Sequence, residues 1–113
     1  MQFLVLVASL VSAVSAATFA PKILFPSAGT LLYHTGGYYV NWDFSGAANQ
    51  TSDLILKNGA SGIEYSLAKK VDLTWGGTFV TISADYPTGD NYKVFFTGSP
   101  AANQSAAFRI GDV

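Results

Sequence analysis

Side-chain catalysis needs a nucleophile, a base or a bound metal, and this sequence offers few residues for any of them. It has one histidine, His34, and no cysteine. A Ser-His-Asp triad would have to be built on His34, because the imidazole takes the serine proton. The Gly-x-Ser-x-Gly turn that presents such a serine is absent; Gly59-Ala60-Ser61-Gly62 is one residue short and follows a hairpin signal. His34 is therefore read as a surface loop residue. The lack of cysteine removes disulfides, thiolate-bound zinc, iron–sulfur clusters and thiol catalysis together. Glycoside hydrolysis needs a pair of carboxylates flanking the scissile bond. Glu64 is the one glutamate, and the aspartates stand mostly in or beside turns, where they bond local backbone. Asp85, Asp90 and Asn91 carry oxygens of the kind calcium takes, but no dense acidic loop surrounds them. No phosphate-cradling or dinucleotide-binding glycine loop is present. The expectation is a non-enzyme with no catalytic residue, no cofactor and no metal site.

The remaining candidates are aromatic. Tyr33, Tyr39 and Trp75 fall where strand alternation does not require burial. Exposed rings stack on the apolar faces of sugars, so these three are the candidate carbohydrate-contact residues. The competing use is structural: Trp75 capping one end of a core and Tyr39 filling a cross-strand pair. Asn49-Gln50-Thr51 and Asn103-Gln104-Ser105 are acceptor sequons for N-glycosylation.

The elements that must hold these residues are strands. The stretch Gly89 to Thr97 begins in a turn, Tyr86-Pro87-Thr88-Gly89-Asp90, and then alternates. Tyr92, Val94 and Phe96 share one side; Asn91, Lys93, Phe95 and Thr97 share the other. A turn ending in Gly-Asp-x-Tyr before a strand is similar to the tyrosine corner of immunoglobulin-like sandwiches, in which the phenol bonds back to the preceding backbone. Further strands are expected at 22–25, 31–33, 38–44, 53–57, 63–67, 71–75, 78–82 and 106–110. Tyr38, Val40, Trp42 and Phe44 are assigned to the core, as are Val80, Ile82, Phe108 and Ile110. Asn58-Gly59 predicts a two-residue type I′ hairpin. Ala68-Lys69-Lys70 is read as a small exposed charge cluster. No segment keeps helical periodicity. Short strands separated by turn signals imply an all-β fold, an immunoglobulin-like or fibronectin-like antiparallel sandwich of about seven strands.

Composition agrees with one compact domain. Of 113 residues, 50% are hydrophobic, 14% aromatic and only 12% charged. The formal net charge of -1 gives no broad field to recruit nucleic acid or anionic lipid. Residues 3–11 form a short apolar run followed by small residues, the pattern of a secretory signal peptide cleaved after Ala16. The expected product is residues 17–113 as a single β-sandwich domain, secreted, monomeric and without a membrane anchor.

The order of several short motifs resembles a known family. Ile23 to Gly29 gives an Ile-x-x-Pro-x-x-Gly opening, and Val40-Asn41-Trp42 a Val-x-Trp strand. Leu54 to Gly59, Gly89 to Tyr92 and Ser105 to Ile110 complete the series. Together they resemble the N-terminal domain of fungal Kre9/Knh1-like proteins, also described as the Ser/Thr-rich glycolipid-anchored membrane family. The resemblance implies an extracellular immunoglobulin-like sandwich associated with fungal cell-wall glucan assembly, and it supplies no catalytic residues. The Ser/Thr-rich stalk and anchor tail of that family are missing from this sequence. The expected function is a non-catalytic secreted module of the cell wall or extracellular matrix, associating with glucan. The alternative is a secreted effector that binds an extracellular protein through a sheet face. Both glycans are expected at one pole, with the ligand surface away from it.

Overall fold

The computed structural model describes residues 21–45, 50–97 and 103–112. The expected leader and Asn49 lie outside the described residues. Among the described residues, eight strands form two packed sheets. They are β1 (Ile23–Phe25), β2 (Leu31–Tyr33), β3 (Gly37–Trp42), β4 (Thr51–Asn58), β5 (Glu64–Asp72), β6 (Gly77–Thr81), β7 (Gly89–Phe96) and β8 (Phe108–Gly111). One sheet has the order β1-β3-β6 and the other β2-β8-β7-β4-β5. This is the immunoglobulin-like and fibronectin-like sandwich that the strand spacing predicts. All pairings are antiparallel except β2 with β8, which run parallel. β1 and β2 are the two halves of one opening segment that changes sheets. The ladder of β1 stops at Pro26, which has no N–H to give.

The core forms where the inward faces of the two sheets meet. Val40, Trp42, Val80 and Ile82 come from the smaller sheet. Leu32, Leu54, Leu56, Tyr92, Val94, Phe96, Phe108 and Ile110 come from the larger one, and all are buried. Trp42 meets Phe96 edge to face at a centroid distance of 4.9 Å, and its indole Nε1 donates to the Leu73 carbonyl at 2.9 Å. Both the apolar body and the polar tip of the ring are therefore satisfied.

The tyrosine corner is present. Tyr92 is fully buried, and its hydroxyl donates to the backbone carbonyl of Pro87, inside the expected turn. The Asn58 side-chain amide donates to the same hydroxyl at 3.3 Å. Asn58 was expected at a turn tip; it is instead the buried last residue of β4.

Three local expectations are corrected. First, Asn58-Gly59 is not a type I′ turn. Neither residue has positive φ; the loop runs to Ile63, closed by Asn58 N to the Ile63 carbonyl and Gly62 N to the Asn58 carbonyl, with Gly62 at φ 79. Gly59 is glycine for another reason: its N–H donates to the Asn91 carbonyl, and a Cβ there would lie 2.4 Å from that oxygen. Second, Phe44 is not core. β3 ends at Trp42, so the two-residue period no longer governs Phe44, which is 54% exposed. Third, Leu73 to Trp75 is a 3-10 turn rather than a strand. Lys69 and Lys70 are exposed, as expected, and belong to β5. Ser52 faces Val71 while Leu54 faces Ala68, so β5 carries one extra residue there, a bulge. Lys70 takes φ 52, and its N–H is held by the Asp53 carboxylate at 3.0 Å. The 3-10 turn follows directly on β5. Asp72 caps it by accepting from Thr74 N and Oγ1, which lowers the Asp72 pKa below the usual carboxylate value. Gly76 ends it at φ 74.

Two stability measurements test this account. Trp42→Ala should cost about 3–5 kcal/mol in denaturant unfolding, because it opens a cavity between the sheets. Tyr92→Phe should cost ~1–2 kcal/mol, since it strands the Pro87 carbonyl and the Asn58 amide together. Neither value should change with added reductant, because the chain has no cysteine.

Candidate functional site

The outer face of the three-stranded sheet is where exposed aromatic residues gather. Tyr39 on β3 and Phe79 on β6 are direct cross-strand partners. They are 60% and 64% exposed, and their rings meet edge to face at 6.1 Å. The Phe79 ring reaches across Gly37, where a Cβ would meet it at 2.3 Å. One step along the ladder, Asn41 faces Gly77, so the surface drops to backbone height beside an amide. Beyond that step the Phe44 ring lies over Gly76, where a Cβ would meet it at 2.7 Å. Trp75, 60% exposed, precedes that glycine. Leu24 adds an exposed apolar side chain from neighbouring β1. No charged residue lies within β1, β3 or β6. The three strands present exposed aromatic rings beside an amide and carry no charged residue.

Of the three aromatic residues singled out from the sequence, Tyr39 and Trp75 lie on this side of the molecule. Tyr33 does not join them: it belongs to β2, at the edge of the other sheet, where its N–H donates to the Tyr38 hydroxyl. Phe79 and Phe44 are the members sequence reasoning missed. Phe79 alternates with the inward Val80, and that parity was a sufficient signal. Phe44 was hidden by extending β3 two residues too far.

The sequons are placed in part. Asn103 lies on the connection from β7 to β8, near Ser105, whose N–H donates to the Val94 carbonyl. Leu54 pairs with Phe96, so the start of β4 and the end of β7 share one pole. Gln50, which follows Asn49 in sequence, accepts from Leu73 N at 3.1 Å. Trp75 therefore stands at that same pole, whereas Tyr39 and Phe79 lie farther along the sheet.

The possible chemical sites resolve into structural ones. His34 is not a freely solvated loop side chain: it is 12% exposed. Its Nδ1 lies 2.7 Å from an Asp112 carboxylate oxygen and its Nε2 lies 2.6 Å from the Tyr86 carbonyl. Both partners are acceptors, so both ring nitrogens donate only in the protonated imidazole. The bond to Asp112, then that to Tyr86, raises the His34 pKa above the ordinary value. Asp90 faces Arg109 at 3.9 Å, and Asp85 N bonds the Ser83 hydroxyl. Among the described residues no group of three His, Asp or Glu gathers as a metal site, and no helix is long and apolar enough to cross a membrane.

Comparison of the chain with known protein families, with curated proteins and with solved structures returned no match.

The His34 contacts give a pH dependence of known sign. A folded-state pKa raised above about 6.5 means stability is fully present below that value and is lost as pH rises through the folded value. Thermal unfolding followed from pH 6 to pH 8.5 should therefore show a falling melting temperature. His34→Gln should flatten that slope; an unchanged slope would show that the imidazole is not charged in the fold.

Proposed function

We propose that this chain is a secreted, non-catalytic β-sandwich module of the fungal cell wall or extracellular matrix that associates with neutral glucan. The contact surface is the outer face of β1, β3 and β6. The observation that carries this reading is the exposed Tyr39–Phe79 pair on a sheet face without charged residues. Neutral polysaccharide presents two kinds of surface, the C–H faces of its rings and their hydroxyl rims. Aromatic rings match the first, and Asn41, with both donors and acceptors in its amide, matches the second. The surface is open rather than enclosed, which suits a polymer lying across it better than a small molecule needing enclosure. The Kre9/Knh1-like motifs support the same compartment and ligand.

A second reading, a protein partner docking on the same face, draws support from β6 being an edge strand of its sheet. Its unpaired edge lies beside Phe79, and strand addition there would extend the sheet.

Sedimentation with insoluble β-glucan tests the primary reading. The purified secreted protein should pellet with the polymer and remain in solution without it. Tyr39→Ala and Phe79→Ala should each weaken retention by about tenfold, since covering one such ring is worth ~1.5–3 kcal/mol. Both residues are exposed, so these variants should stay folded. Trp75→Ala should weaken retention less, and Tyr33→Ala not at all. Failure of the folded parent protein to pellet would reject glucan association. Intact-mass measurement reports occupancy of Asn49 and Asn103, and the double Asn→Gln variant should keep its binding, because Tyr39 and Phe79 lie away from that pole.

A further inference from the structure

The opposite face of the sandwich carries a different chemistry. On the outer side of the five-stranded sheet, the outward positions of β4 and β7 face one another as Asp53 with Thr97, Ile55 with Phe95, and Lys57 with Lys93. The last pair sets two ammonium groups directly opposite. Like charges so placed, with Cβ atoms ~5 Å apart, repel and destabilise a sheet. Glu64 is the cross-strand partner of Lys57 on its other side, yet neither lysine is ion-paired with a carboxylate among the described residues.

Around this pair the surface is concave. A shallow, open groove of about 230 Å³ is lined by Lys57, Gly59, Asn91, Lys93 and Gln104. That is smaller than the pockets that enclose a drug-sized ligand and suits one small polar group. Each wall contributes something a charged, hydroxyl-rich ligand needs. Lys57 and Lys93 supply two positive charges from adjacent strands. Asn91 and Gln104 supply amides that both donate and accept. Gly59, pressed against Asn91, contributes no side chain to fill the space. Next along the ladder, the half-buried Ile55 and Phe95 offer an apolar flank.

We infer that this groove binds an oxyanion carried on a sugar, a carboxylate or phosphate whose charge lies between Lys57 and Lys93 while Asn91 and Gln104 take the neighbouring hydroxyls. A bound anion offsets the repulsion between the lysines, of which Glu64 faces only Lys57. The site is on the other sheet from the aromatic platform, so it stands whether or not that platform binds glucan, and both faces are open to ligands at once.

The test is a nuclear magnetic resonance titration of the isotope-labelled secreted protein at low ionic strength, with four probes: glucuronate, glucose 6-phosphate, inorganic phosphate and glucose. Glucuronate or glucose 6-phosphate should shift the amide signals of Asn91, Lys93 and Gln104 saturably. Glucose should not, and inorganic phosphate should bind more weakly than the sugar acids. Lys57→Gln and Lys93→Gln should each weaken the sugar acid by about tenfold, the scale of one charge-assisted hydrogen bond. Lys69→Gln, which removes the same charge elsewhere, should leave affinity unchanged. No saturable shift with either sugar acid would overturn the proposal. So would inorganic phosphate binding equally well, or sugar-acid binding that survives Lys57→Gln together with Lys93→Gln.

Discussion

The buried hydroxyl of Tyr92 is the constraint on which the rest of this sandwich depends. A phenol in the core carries a polar group that must find a partner, or its ring could not be buried without cost. Here the partner is the Pro87 carbonyl, and Asn58 supplies a second bond from the end of β4. One side chain thus fixes the turn before β7, the end of β4 and the packing of β7 against Phe108, whose ring lies 6.2 Å from that of Tyr92. A domain without disulfides gains its uniqueness from such satisfied polar points, because apolar packing alone tolerates many arrangements. Trp42, bonded to the Leu73 carbonyl, does the same for the smaller sheet.

Where one rule governed a residue, the sequence could be read. Val40 and Trp42 in β3, Val94 and Phe96 in β7, and Phe108 and Ile110 in β8 all point inward as their alternation requires. The residues that were misread answer to two rules at once. Asn58-Gly59 has the composition of a tight hairpin, but Asn58 is needed inside for Tyr92 and Gly59 must pass close to Asn91. His34 looked solvated because nothing near it in sequence suggests otherwise; its partners are far along the chain, at Tyr86 and Asp112. Of the candidate site, the exposure of Tyr39 and Trp75 was legible from parity. Their relation to Phe79 and Phe44 required the register of β3 against β6 and the true end of β3.

The two outer faces divide the chemistry of the surface. The smaller sheet presents rings, an amide and no charge, whereas the larger presents lysines and carboxylates in rows. Because side chains alternate along each strand, both faces are anchored to one core, and a change at one surface residue does not disturb the other face. The sandwich can accordingly hold two chemically unlike surfaces back to back with little communication between them.

The parallel pairing of β2 with β8 has a mechanical consequence. β2 follows β1 in the chain, β8 is the last strand among the described residues, and the two point the same way. Tension applied from the two sides acts first on β1, which β3 holds, and then pulls β2 and β8 in opposite directions along their own length. The ladder bonds from the Arg109 N–H to the Thr30 carbonyl and from the His34 N–H to the Gly111 carbonyl are then loaded together in shear, rather than peeled apart one after another. Once β1 has given way, load falls on the patch where β2 and β8 lie side by side, and the His34–Asp112 contact closes that patch like a latch at its far end.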